Sequence, residues 1–280
     1  MAVPKKVVDR IQSTLKSFQA VLLAQKARDV SEADTVTIVN DLLSEVFGFD
    51  KYSELTSEHA IRGTFCDLAI KLEEKLVLLA EVKAIGIELK DGHVKQAVDY
   101  ASNQGCEWVV LTNGIDWRLY QVIFKKPIDK QEVLRLDLTA VNPRAEADLE
   151  CLYILTREGL SKNAIKEYRD RKDATSRFML AAILLQSEDV QSAIRREIRK
   201  VSELLVDPEV IVKILRDEVI KRETTEGEQA ESANRRVMKS VSKNSHRKTD
   251  ADSGCAETAG AAAAALAPKP GGTDSTAEDV

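Results

Sequence analysis

Two apolar runs, 65–72 and 76–83, lie either side of a short polar Glu73-Glu74-Lys75 stretch, and together they constrain the fold more than any other part of the chain. Read as strands, they form a hairpin. The second opens with Leu76-Val77-Leu78-Leu79-Ala80, a continuous apolar run of the kind found in a strand covered on both faces. Such a strand needs helices above and below its sheet. It also ends abruptly in Glu81-Val82-Lys83, a carboxylate and an ammonium whose burial costs free energy unless they are paired or hold a metal. If the hairpin turns about Glu74, Asp67 and Glu81 stand opposite each other on one face. Lys83, two positions on, shares that face. A slip of one residue would move Asp67 to the other side.

The flanking segments supply the expected helices. Val7, Val8, Ile11, Leu15, Phe18, Val21 and Leu22 recur at helical spacing over 4–28, with Pro4 suited to the first turn. A second helix starts at Ser31-Glu32-Ala33-Asp34, close to a capping box, and stops at Gly48. Residues 91–104 read as helix. Trp108–Leu111, Trp117–Val122 and Val133–Leu138 read as strands, so Trp108, Trp117 and Tyr120 belong to the core. The fold class is therefore α/β (α+β), a mixed sheet flanked by helices. It occupies a first domain, 1–143, followed by an all-α appendage over 144–222. Beyond that, a basic run (Arg235 to Lys248) and an alanine-rich end lack the apolar surface to offset ordering entropy, so 223–280 is expected to be disordered.

Composition removes several alternatives. Four scattered cysteines and three histidines give neither a zinc-ligand spacing nor a secreted disulfide framework. No window has the roughly 18 apolar residues of a membrane span, and a cytoplasmic protein is expected. The formal net charge of −5 supplies no basic face for phosphate contacts alone.

The pattern D-x(13)-E-x-K, Asp67 to Lys83, suits metal-assisted phosphodiester chemistry. Carboxylate oxygens hold a hard cation such as Mg²⁺, and a lysine offsets the charge that grows on the phosphate as it is attacked. The arrangement resembles the PD-(D/E)xK nuclease superfamily, and residues about 34–140 are similar to the N-terminal nuclease domain of type I restriction enzyme R subunits. Beyond the D…E-x-K itself, the likeness is carried by the helix end Val39-Asn40-Asp41-Leu42-Leu43 to Asp50, by Gln96-x-x-x-Tyr100, and by Thr112-Asn113-Gly114-x-x-Trp117. Cys66 stands where the superfamily name has proline.

The resemblance implies a restriction-endonuclease-like sheet and Mg²⁺ (or Mn²⁺) held by Asp67, Glu81 and the carbonyl of Val82. It implies that Lys83 orients or activates the attacking water and stabilises phosphate charge, and that Glu58 or Glu45 supplies an outer carboxylate. Gln96 and Tyr100, with His93 on the same polar helix face, would touch DNA or support the site. The expected substrate is DNA, with RNA as the alternative. No G-x-x-x-x-G-K-[ST] phosphate loop occurs, so no ATP dependence is expected. The competing expectation is a non-cleaving nuclease-fold module for DNA binding or assembly, docking a protein partner through 145–221.

Overall fold

A computed structural model describes residues 2–61 and 64–242, with the side chains of 58–65 excepted. The described residues fall into two compact units, divided after Arg171.

The first unit is built on six strands: β1 (Leu55–Ile61), β2 (Thr64–Leu72), β3 (Lys75–Val82), β4 (Trp108–Thr112), β5 (Asp116–Ile123) and β6 (Asp129–Asp137). They lie in the sheet in chain order, and all neighbours are antiparallel except β3 and β4. That parallel pair needs a crossover, which α3 (Asp91–Gln104) supplies. The mixed sheet agrees with the α/β expectation. β1 has no counterpart among the expected strands.

The β2–β3 register shows how the site is set. The turn is the two-residue Glu73-Glu74, both at positive φ (50° and 63°), as a type I′ hairpin turn requires. Leu72 therefore pairs with Lys75, and Lys71 with Leu76. Continued unbroken, that register would put Asp67 on the wrong face. A bulge in β3 shifts it by one residue, so Ile70 pairs with Leu78 and Leu68 with Ala80. Carried one position past the last ladder pair, this register sets Asp67 level with Glu81. A turn centred on Glu74 gives the right partners, but it does so because the bulge compensates for a tighter turn.

Each sheet face is covered. Leu68, Ile70, Leu78, Ala80 and Val82 pack with α1 (Lys5–Ala27) and α2 (Glu32–Asp41) through Leu15, Leu22, Val39 and Leu42. The opposite face, with Ala69, Leu79, Val109 and Leu111, packs beneath Val94, Ala97, Val98 and Ala101 of α3. Ser31 caps α2, its hydroxyl accepting from the Asp34 backbone N–H (3.2 Å). A π-helical turn, Leu42–Val46, ends α2. Its last carbonyls are satisfied by Arg10, whose Nε donates to Val46 O (3.0 Å) and Nη2 to Phe47 O (3.1 Å). Gly48, at φ 82°, leaves the space that the guanidinium fills.

Helices α4 (Glu146–Tyr153), α5 (Arg157–Ser161) and most of α6 (Ala164–Ala174) belong to this first unit. The division thus falls after Arg171 rather than at 143, because Leu149, Leu152, Ile154 and Ile165 join the same core as α1 and the sheet.

The second unit is all-helical: α7 (Arg177–Gln186), α8 (Glu188–Ser202), α9 (Pro208–Ile214) with a π turn Leu215–Val219, α10 (Arg222–Thr225) and a last helix over 228–242. That last helix corrects the expectation of disorder from residue 223. Ala230, Ala233 and Val237 lie on one helical stripe, and Ala233 and Val237 pack with Ala182. Small alanines gave a weak apolar signal that close packing makes sufficient. The remainder of the expected tail, 243–280, lies outside the described residues. No helix among the described residues is long and apolar enough to cross a membrane.

Candidate active site

Glu81 is the penultimate residue of β3 and only 3% exposed. Its Oε1 accepts from Lys83 Nζ at 2.7 Å, and the same ammonium reaches the carbonyl of Val82 at 3.1 Å. Asp67 approaches from β2, where its Oδ2 accepts the backbone N–H of Val82 at 2.7 Å. The hairpin therefore brings together the three residues of the D…E-x-K pattern, and the alternation of β3 places Glu81 on the α3 side with Leu79.

A fourth charged group was not anticipated in this role. Glu32, in the first turn of α2, places Oε2 3.6 Å from Lys83 Nζ. In the sequence it reads only as part of a helix start. Its role follows from the start of α2 docking beside the end of β3, where the Thr35 hydroxyl also accepts from the Ile85 N–H (3.1 Å). The two expected outer carboxylates fare differently. Glu45 is exposed on the π turn, where its charge bears on Lys51. The Glu58 side chain lies outside the described residues.

Three carboxylates around one lysine leave an excess of negative charge, and the acidities respond. Burial is the main cause that pushes the Glu81 carboxyl above its ordinary value; the Lys83 bond opposes this, while the charges of Asp67 and Glu32 add to it. Burial acts against the Lys83 ammonium. Its bond to Glu81 and the charges of Glu81, Glu32 and Asp67 outweigh that, so its pKa is raised and it keeps its proton. Cys66 is buried and its thiol is pushed up to about 12, chiefly by desolvation, so it offers no nucleophile.

These shifts fix a pH dependence. A carboxyl with a raised folded pKa contributes stability that is present below the ordinary glutamate value and is lost as pH rises through the folded value. In EDTA, the melting temperature of Glu81→Gln relative to the unmodified protein should therefore climb from about pH 4 towards neutrality. Thermal denaturation across that range tests this, and a constant difference would refute it.

Among the described residues, no group of three or more His, Cys, Asp and Glu side chains is placed to hold a metal unaided. The oxygen donors here nevertheless suit a hard cation. The Lys83 ammonium already bridges Glu81 Oε1 and Val82 O, so these oxygens are arranged around positive charge. Mg²⁺ keeps several waters and needs only one or two carboxylates from the protein.

The α3 residues divide. His93 is a cap, its Nδ1 accepting the Lys90 backbone N–H at 3.2 Å. Gln96 is exposed and lines an open depression of about 320 Å³ with Lys95, Asp99 and Asn103. Tyr100 is not on a polar solvated face as expected. It is 2% exposed and packs in the core beneath α3, with its hydroxyl pKa raised mainly by burial. A tyrosine adjoining an apolar helical stripe packs its ring inward, and spacing alone does not reveal that. The Thr112-Asn113-Gly114 turn is structural. Asn113 Nδ2 donates to Ile87 O (2.9 Å), and Gly114 takes φ 84°.

The fold and these residues define a class: a helix-flanked mixed-sheet domain with a carboxylate–lysine centre at the end of a buried strand. Residues 41–133 match the family model described as type I restriction enzyme R protein N terminus (HSDR_N), and the chain resembles that domain over this stretch. The match runs from the end of α2 into β6 and includes Asp67, Glu81 and Lys83, whereas Glu32 and the helices after β6 lie outside it. Comparison with curated proteins and with solved structures gives no match.

Proposed function

We propose that the protein is a Mg²⁺-dependent nuclease that hydrolyses phosphodiester bonds in DNA. The observation that carries this reading is the convergence of Asp67, buried Glu81 and a protonated Lys83 at one strand end, within a stretch similar to a restriction enzyme domain. Asp67, Glu81 and the Val82 carbonyl would hold the ion, which when bound lowers the pKa of water and offsets charge on a phosphoryl oxygen. The Val82 N–H fixes the rotamer of Asp67 and so its direction. Lys83 keeps its charge through the reaction, which makes it a stabiliser of phosphate negative charge and an orienter of water rather than a general base. Glu32 positions that ammonium from the α2 side.

Cleavage of supercoiled, linear and single-stranded DNA with Mg²⁺, and of RNA as the alternative substrate, tests the proposal. Activity should require the ion and fall sharply in Asp67→Ala and Lys83→Ala. Cleavage that survives unchanged in both variants rules the mechanism out. The second reading, a module that docks a partner without cutting, draws on unit two. There α8 buries no residue and Val201, Leu204 and Leu205 are exposed. DNA binding with no cleavage under any divalent ion would favour it.

A further inference from the structure

We propose that Arg118 and Arg135 form a second phosphate-binding site on the sheet, gripping the DNA backbone to one side of the Asp67/Glu81/Lys83 centre. It rests on the nuclease reading only for the identity of the ligand as a phosphodiester chain.

The register places both arginines in line with the catalytic pair. Glu81 pairs with Leu111, Leu111 with Arg118, and Arg118 with Arg135. Directly paired residues share a face, so Asp67, Glu81, Leu111, Arg118 and Arg135 form one row across five strands on the α3 side. At about 4.8 Å per strand, Arg118 lies roughly 10 Å from Glu81 and Arg135 roughly 15 Å. The row is negative at its β2–β3 end and positive at its β5–β6 end.

At the β5–β6 end both guanidinium groups converge on one carboxylate. Asp116 Oδ2 accepts from Arg118 Nε (3.0 Å) and Nη2 (2.8 Å), and also from Arg135 Nη2 (3.0 Å). Two guanidinium groups thus share one carboxylate oxygen, and Asp137, which pairs with Asp116 across β5 and β6, brings the formal charge of these four side chains to zero. The nearby Asp137 is engaged by the backbone N–H and hydroxyl of Thr139 (2.9 and 2.6 Å). Neutralising Asp116 requires only Arg118, whose side chain is 10% exposed. Arg135 lies on the edge strand with its side chain 58% exposed, where a shared ion pair contributes little. It can turn to a phosphate at small cost. A guanidinium has five N–H donors in a fork that matches two phosphate oxygens.

The test is binding of a fluorescein-labelled DNA duplex by anisotropy across a salt series, with Ca²⁺ in place of Mg²⁺. Arg135→Gln should weaken binding by about tenfold at low salt and reduce the slope of log affinity against log salt by about one. Lys75→Gln removes the same charge from the far end of the β2–β3 hairpin and should change neither. Asp116→Asn, checked for folding by circular dichroism, should tighten binding. An Arg135→Gln variant that binds as the unmodified protein does overturns the proposal, as does equal loss in Lys75→Gln or an unmodified protein that binds no DNA. Arg135-dependent binding without cleavage would sink the nuclease reading and leave this one standing. Glu81-dependent cleavage with binding indifferent to Arg135 does the reverse.

Discussion

Glu81→Ala is expected to reduce Mg²⁺-dependent DNA cleavage by about a thousandfold or more while the domain stays folded. Two effects combine in the loss of activity. The variant removes the most buried carboxylate of the site, leaving Asp67 and a backbone carbonyl for the ion. It also frees Lys83 from its 2.7 Å bond, so that the ammonium shifts towards Glu32 and away from the phosphate. Folding is spared because the fold disfavours the ionised Glu81 in the first place. Lys83 retains the Val82 carbonyl, Glu32 and some solvent. Calorimetric Mg²⁺ titration, cleavage and thermal denaturation on the same sample separate these effects. Weakened metal binding with an unchanged or higher melting temperature supports the assignment. Full cleavage in the variant refutes it.

Gly159→Ala is expected to destabilise the first unit by about 3 kcal/mol. Gly159 is the third residue of α5, where its N–H donates to the Thr156 cap hydroxyl at 3.0 Å. A Cβ there would fall on the backbone carbonyl oxygen of Tyr153, well inside van der Waals contact. The obstacle is backbone, so no rotamer change relieves it, and the α4–α5 turn must move. That turn carries Arg157, which donates its backbone N–H to Phe47 O (2.9 Å) and Nε to Glu54 (2.7 Å). It also carries Glu158, paired with both terminal nitrogens of Arg10 at 2.7 Å. The end of α2 is thereby braced, and α2 presents Glu32 to the site. Gly92→Ala is the control: nothing lies within 4 Å of its added Cβ, and a helix gains about 0.5–1 kcal/mol from the exchange. Urea denaturation of both variants decides the matter. Equal shifts would show that the turn yields freely.

Local chemistry that periodicity can express was legible in the sequence. The β2–β3 hairpin, the buried character of β3, the 91–104 helix and the Ser31 cap follow from apolar spacing and turn residues, which act between near neighbours. So does the proximity of Asp67, Glu81 and Lys83, because a hairpin converts sequence separation directly into pairing. The expected pairing holds for a reason the sequence conceals, since the bulge in β3 leaves no turn signal. Tyr100, an interior ring, and the helix over 228–242 were misread for a related reason, because the value of an amphipathic or small side chain depends on what covers it.

By itself, then, the chain determined a hairpin with a carboxylate–lysine centre at the end of a buried strand. Tertiary structure decided what surrounds that centre. Glu32 lies far along the chain in another helix, and Arg118 and Arg135 join the row of the centre only through the parallel β3–β4 pairing across the α3 crossover. Contacts between elements distant in sequence arise only when the shared core forms, because burial is a property of the assembled layers and not of any one segment.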